Sequence, residues 1–264
     1  MNAVEFSTGN GENVVREAFL SGGRVGGRGL FQHPAPSPVF SVTSLRCPSP
    51  EKINAGMLQN RVDPFGNIIR TSARGAWMGN RGILHDEQQQ IQRAFKLKAW
   101  LTCVLQFKNR QRTVMTPHRY TELFFRDEAT AFAAGHRPCF ECRRADYNRF
   151  KTYWLKGNAA YGFADNVSIQ QIDSILHTER IDPQGRKVTY TASIHDLPDG
   201  CFIVYHDQPY VIYKQALLLW SPEGYTKKEI LPEEGLVQVL TPKSVVSAFR
   251  AGYIPEVSAP EKPV

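Results

Sequence analysis

Apolar positions are spread unevenly along the chain, and their spacing changes character several times. Over residues 1–58 neither a helical nor an alternating period persists, and stretches such as "SGGRVGGRGLFQHPAPSPV" are rich in Gly, Pro and Ser. A segment of that kind buries too little apolar surface to fold, so a disordered arm is expected there. An ordered domain is expected over residues 59–158, opening with the turn-rich "RVDPFGNIIRTSARGAWMGNRG". The segments "GILHD", "QIQRAF", "AWLTCVLQF" and "TVMTPH" then read as short strands between polar or basic turns, an antiparallel meander. Asp127 suits a helix N-cap, with Ala129, Phe132 and Ala133 on one face and Gly135 as the stop. Tyr147, Phe150 and Trp154 at helical spacing predict a second helix.

The pattern loosens at "LKGNAAYGFADN", which is read as a domain boundary. A second small α+β domain is expected over residues 165–256. It starts with the helix "SIQQIDSILHTER" and continues through strands "CFIVY", "PYVIY", "ALLLW" and "LVQVL". The helix "KSVVSAFRAGY" closes it, and residues 257–264 read as a flexible tail. The fold class is therefore α+β.

Charge changes this picture. The chain of 264 residues carries a formal net charge of +7, unevenly placed. Between Glu87 and Glu122 there is no acidic residue, while the same interval holds Lys108, Arg110, Arg112 and Arg119 among other cations. Arg143 and Arg144 extend the bias. Such a field attracts nucleic-acid phosphates, DNA first among them, or another anionic partner; a solvated basic face is the plain alternative. Aromatic residues interleave with the basic stretch (Phe95, Trp100, Phe107, Tyr120) and suit either core packing or base stacking. No apolar run approaches the roughly 20 residues of a membrane span, and no basic-then-apolar leader opens the chain, so a cytoplasmic protein is expected.

The candidate chemistry centres on "AFAAGHRPCFECRR". Cys139 and Cys142 form a Cys-x-x-Cys pair, and two sulfurs so spaced can face one ion. Arg137, Arg143 and Arg144 beside them favour the thiolate. Further ligands must come from elsewhere, and His85 and Cys103 make the favoured set of four, with His118 and His136 also within the domain. Cys103 also suits a buried small hydrophobe, and His85 a turn histidine bonded to Asp86. A second locus is "LHTER", where His177 and Glu179 are weak candidates for catalysis and Asp173 falls one helical turn before His177. A helix-end histidine favoured by the macrodipole explains His177 equally well.

The stretch "FFRDEATAFAAGHRPCFECRR" resembles the second half of the Ada-type metal-binding domain: an aromatic strand, a short Ala-rich helix, then Gly-x-Arg-Pro-Cys-x-x-Cys. That resemblance covers about 25 residues and implies zinc as the cofactor of Cys139 and Cys142. The family supplies two more cysteines upstream, one a methyl acceptor from DNA phosphotriesters. Here Cys103 alone fits such a place. From "MGNRGILHD" through "RYTELFF" to "LPDG" and "RAGY" the chain also resembles an uncharacterised bacterial family.

Three functions are compatible with these residues. The leading one is a zinc-binding protein, zinc structural, that contacts nucleic acid through Lys108, Arg110, Arg112, Arg119, Arg143 and Arg144. The others are a metal- or histidine-dependent hydrolase acting on nucleic acid or another anionic substrate, and a protein-interaction module.

Overall fold

The computed structural model describes residues 57–111 and 113–258, all within one compact unit, Pro50–Val264. The expected arm and Arg112 lie outside the described residues, as does most of the tail. The architecture is mixed α+β, built on two six-stranded sheets. The first contains β1 (Gln59–Val62), β2 (Ile68–Arg70), β3 (Trp77–Asn80), β4 (Leu101–Cys103), β5 (Leu123–Phe125) and β6 (Arg137–Pro138), in the order β2-β1-β5-β3-β4-β6. The second contains β7 (Tyr190–Ser193), β8 (Phe202–Tyr205), β9 (Gln208–Tyr213), β10 (Ala216–Ser221), β11 (Gly224–Ile230) and β12 (Leu236–Val239), in the order β11-β10-β9-β8-β12-β7. Among the described residues the α-helices are α1 (Glu128–Ala133), α2 (Arg144–Gly157), α3 (Ile169–Arg180) and α4 (Lys243–Arg250).

The first sheet is not the expected meander. It mixes antiparallel pairs with two parallel ones, β1 with β5 and β4 with β6. "QIQRAF" does not form a strand, because the Asp86 carboxylate accepts from the Gln88 and Gln90 amides and Gln89 turns at φ 60°. Only an isolated bridge joins His85 to Ile91. "TVMTPH" likewise breaks at Met115 and His118, with φ 56° and 62°. An Asx turn and left-handed residues interrupt any ladder.

The second sheet is antiparallel throughout. Its β8–β9 and β9–β10 hairpins turn on His206–Asp207 and Lys214–Gln215, all at positive φ, the twist that two-residue hairpin loops favour. Neighbouring strands alternate well enough to bury Phe202, Val211 and Leu218 on one face and Ile203, Ile212 and Leu217 on the other.

The loop expected to separate two domains does not divide the core. Phe150 and Trp154 of α2 pack in one cluster with Ile172 and Leu176 of α3, Ile203 and Ile212 of the second sheet, and Phe249 of α4. Helix α1 is the hub. Ala131 meets the first sheet's cluster, Ala129 and Ala133 the second sheet's, and Phe132 the helical one. Alanines let both sheets approach so short a helix, and every residue in it is buried. Asp127 caps it by accepting from Thr130, while its other oxygen accepts from Tyr225 and from the Ser258 amide. Glu128 accepts from Arg143, Tyr253 and the Glu256 amide, so the chain's far end is tied to the same helix. Among the described residues no helix is long and apolar enough to cross a membrane.

Candidate metal centre

Alternation along short strands builds the site. In β3, β4 and the approach to β5, the residues Met78, Asn80, Leu101, Cys103, Glu122 and Phe124 line one cavity of about 330 Å³. The intervening Trp77, Leu123 and Phe125 belong to the first sheet's core on the opposite face. That is the period-two geometry of a pleated sheet. Gly79 sets the spacing of β3 and β4, since a Cβ there would fall 2.2 Å from the Leu101 carbonyl oxygen.

Cys103 ends β4, and the parallel strand β6 delivers its partner. Leu101 stands opposite Arg137 and Thr102 opposite Pro138, so the next step of the register sets Cys139 beside Cys103. The Cys139 amide donates to the Thr102 carbonyl at 2.9 Å, which fixes that step. The chain then turns through Phe140 and Glu141, and the Arg143 amide donates back to the Cys139 carbonyl at 3.1 Å. This turn returns Cys142 to the same point. The sulfurs of Cys103, Cys139 and Cys142 all lie within 4.8 Å of one another. A tetrahedral zinc with Zn–S near 2.3 Å holds its sulfurs about 3.8 Å apart. The three cysteines therefore lie close enough together to hold one metal ion.

The surroundings act unequally on the three thiols. The Cys103 thiol, then the Cys142 thiol, then the Cys142 and Glu141 amides act on Cys139, holding its thiol down to about 2. The Glu141 amide lies 3.4 Å from Cys139 Sγ. Cys103 is pushed up, chiefly by its bonds to Cys139 and Cys142 and by burial. For Cys142 the Cys103 bond and the Val104 amide pull down, but Cys139 and burial outweigh them and the thiol rises. A divalent cation would release the thiol protons, as thiolate ligation does generally.

The other anticipated residues fall in different places. His85 is buried, but its Nδ1 lies 2.6 Å from Thr121 Oγ1 and its Nε2 3.2 Å from the Thr116 carbonyl. It does not join the thiols. His136 is buried on the far side of the strand pair, packed edge-on against Phe125 with ring centroids 4.6 Å apart. His118 is exposed and faces Glu87. Asp173, anticipated as a partner of His177, makes a buried bidentate pair with Arg137 at 2.6 and 2.7 Å. His177 Nδ1 instead lies 3.1 Å from the Arg180 guanidinium, and its ring packs on Phe95. Burial, Arg180 and Lys98 hold it below the usual histidine range. Glu179 accepts from the Ser244 amide and hydroxyl at the start of α4, a structural use of the carboxylate.

The anticipated basic surface divides in the same way. Arg143 is not on it: the side chain is buried, paired with Glu128 and Asp146, and stacked 3.9 Å from the centre of the Trp77 ring. Arg110 is exposed and pairs with Glu141 at 2.6 Å at the edge of the cavity. Lys108, Arg119 and Arg144 are exposed. The Arg144 guanidinium lies 3.6 Å over the ring of Phe140, which is 49% exposed. Lys108 and Arg110 flank Phe107 at 5.1 and 5.3 Å.

Glu122 was not anticipated. It is buried in the cavity wall, with Oε2 accepting from the Met115 amide at 2.8 Å. Its place in the cavity that Cys103 also lines depends on the strand order β5-β3-β4, and nothing local in "RYTELFF" signals that. No family model, no curated protein and no solved structure matches this chain.

Proposed function

We propose that the chain is a zinc-binding protein that contacts nucleic acid at the mouth of the thiol cavity. The carrying observation is the meeting of Cys103, Cys139 and Cys142 on one face of the first sheet, on a turn that also exposes Phe140 beneath Arg144. Zinc is the ion that best suits a compact set of thiolates with backbone N–H groups directed at them. Bound there, it would clamp the end of β4 to the turn that starts α2. Phe107 with Lys108 and Arg110, and Phe140 with Arg144, combine a flat ring with a cation. That is the pairing single-stranded nucleic acid uses for stacking and phosphate neutralisation.

A second reading, hydrolysis of a nucleic acid or another anionic substrate, is favoured by Glu122. Zinc would supply a Lewis acid at any coordination position left to the cavity. Glu122 would hold or move a proton at its carboxylate, kept in place by the Met115 amide. Val104, Leu105 and Val114 would limit water around the bound group, and Arg110 would orient an anion.

Metal analysis of the purified chain tests the centre. One zinc per chain, lost in Cys103→Ser and Cys139→Ser, is the expected result; zinc retained in both would remove it. Cobalt substitution distinguishes the two roles, because added cyanide shifts the visible spectrum only where a position is open to solvent. Salt-dependent binding of single-stranded DNA or RNA, weakened in Lys108→Ala and Phe140→Ala, is expected for the nucleic-acid reading. Binding that ignores both salt and these substitutions would eliminate it.

A further inference from the structure

A second cavity, of about 400 Å³, lies at the other end of the strand pair and is lined by a different chemistry. Arg81, Arg180, Lys187 and Arg93 reach it, beside Trp100 and the Gly66–Asn67 turn. Arg81 and Arg180 are each 1% exposed, and their guanidinium carbons lie 3.9 and 4.1 Å from the centre of the Trp100 ring. Buried cations of this density ordinarily come with carboxylates.

Part of the charge has a structural explanation. Arg180 donates to the Gly135 carbonyl at 2.8 Å and to the Lys98 carbonyl, and Lys187 donates to the Ala133 carbonyl. Both therefore satisfy carbonyls where α1 ends. Gly135 permits that approach, because at φ 88° a Cβ would meet Arg180 Cδ at 2.5 Å. Arg81 donates from Nη1 to the Gly66 carbonyl at 3.0 Å and from Nε to His136 Nε2 at 3.2 Å.

The remainder has no such explanation. Arg81 Nη2 and Arg180 Nε are buried with no hydrogen-bond partner. The carboxylate that acts on both Arg81 and Lys187 is Asp63, and both its oxygens already accept from Asn67. Buried Arg81 and Arg180 and the half-buried Lys187 face Asp63, while Asp173, which also acts on Arg180, is already paired with Arg137, so positive charge is in excess in this site. The strain appears in the groups themselves: burial, offset in part by Asp63, holds Arg81 at about 9, and burial with the Arg81 charge holds Lys187 down to about 7.

We propose that this cavity is a binding site for the phosphate group of a small anionic ligand, with Arg81 Nη2 as its central donor. A phosphate monoester carries about −1.5 to −2 charges at neutral pH and several acceptor oxygens, which matches the excess and the unused N–H groups. A single carboxylate would leave positive charge uncompensated. Phe65, Ile68 and Ile91 line the cavity beside the cations and give an ester's organic part apolar surface. Arg93 is exposed at the rim and would attract the anion without being needed for the fold. The site does not depend on zinc, since no thiol lines it.

Isothermal titration of the full chain with inorganic phosphate and with phenyl phosphate tests this. Saturable one-to-one binding of either supports the site; tighter binding of phenyl phosphate assigns an ester, and equal binding assigns the free ion. Arg81→Gln should weaken binding about tenfold or more, the effect of removing one charge-assisted donor. Arg93→Glu should weaken it several-fold while circular dichroism and melting stay unchanged, so it decides the question if Arg81→Gln fails to fold. No saturable binding to the wild-type chain would overturn the proposal. So would affinities unchanged in the folded variants.

Discussion

The two sheets are held in different ways. Each strand of the second sheet has at least four residues, its ladders are antiparallel, and its two faces bury aliphatic side chains against helices. The first sheet has three strands of three residues and one of two. It carries two buried ion pairs, Arg143–Glu128 and Arg137–Asp173, and brings the three thiols together at one point. Both cavities with chemical character border this first sheet. Regular strands supply a platform, whereas irregular ones can turn a side chain or a carbonyl toward a ligand, at a cost in intrinsic stability.

With zinc bound as proposed, the contrast is sharpest if metal is withdrawn. Cys139→Ser should forfeit a binding free energy on the order of 10 kcal/mol. Amide hydrogen exchange is then expected to rise first in β3, β4 and β6, with β8–β10 still protected; uniform loss of protection would show the sheets to be one cooperative unit. The converse experiment strikes the platform. Phe202→Ala, at a fully buried site, should cost about 3–5 kcal/mol by leaving a cavity, while folded protein keeps full zinc. Zinc lost from the folded fraction would contradict the division. Asp127→Ala probes the joint between the sheets and should cost about 2 kcal/mol in urea denaturation, since a helix cap and a buried tyrosine partner go together.

Acid should act on the first sheet. Burial, with Arg81 and Arg180 nearby, holds His136 well below the ordinary histidine value. Near pH 6 the unfolded chain therefore binds a proton that the folded chain refuses, and stability falls as pH drops through about 6.5. The slope approaches about 1.4 kcal/mol per pH unit. His136→Phe should flatten this part of the profile relative to wild type; an identical slope would place the proton elsewhere. Lys227→Ala on the exposed edge of the second sheet should change stability by less than about 0.5 kcal/mol, despite its ion pair with Glu229.

Legibility in the sequence follows the same line. "CFIVY", "PYVIY" and "ALLLW" announce strands because their apolar residues are contiguous and the turns between them are short. β11, "GYTKKEI", gives no such signal, being mostly polar at an edge. In the first sheet, local pattern misled where a side chain folded the backbone back on itself, as Asp86 does for Gln88 and Gln90. Long-range partners were invisible: Thr121 for His85 and Arg137 for Asp173 lie 36 residues away in each case. Cys139 and Cys142 were conspicuous because their own spacing suggests a shared ion. Cys103 became specific only once β4 and β6 were known to run side by side.

The placement of Trp100 just before β4 and of Cys103 at its end has a consequence for how such a chain can change over time. Because neighbouring residues alternate between faces, the thiol and the indole are separated by parity as well as by position along the strand. Point substitutions leave that parity intact, so each cavity can drift in composition without disturbing its neighbour. A one-residue insertion between Trp100 and Cys103 would instead swing the sulfur into the packed interior and abolish its cluster at a stroke. Descendants of this sequence should therefore tolerate exchanges along β4 far better than gaps.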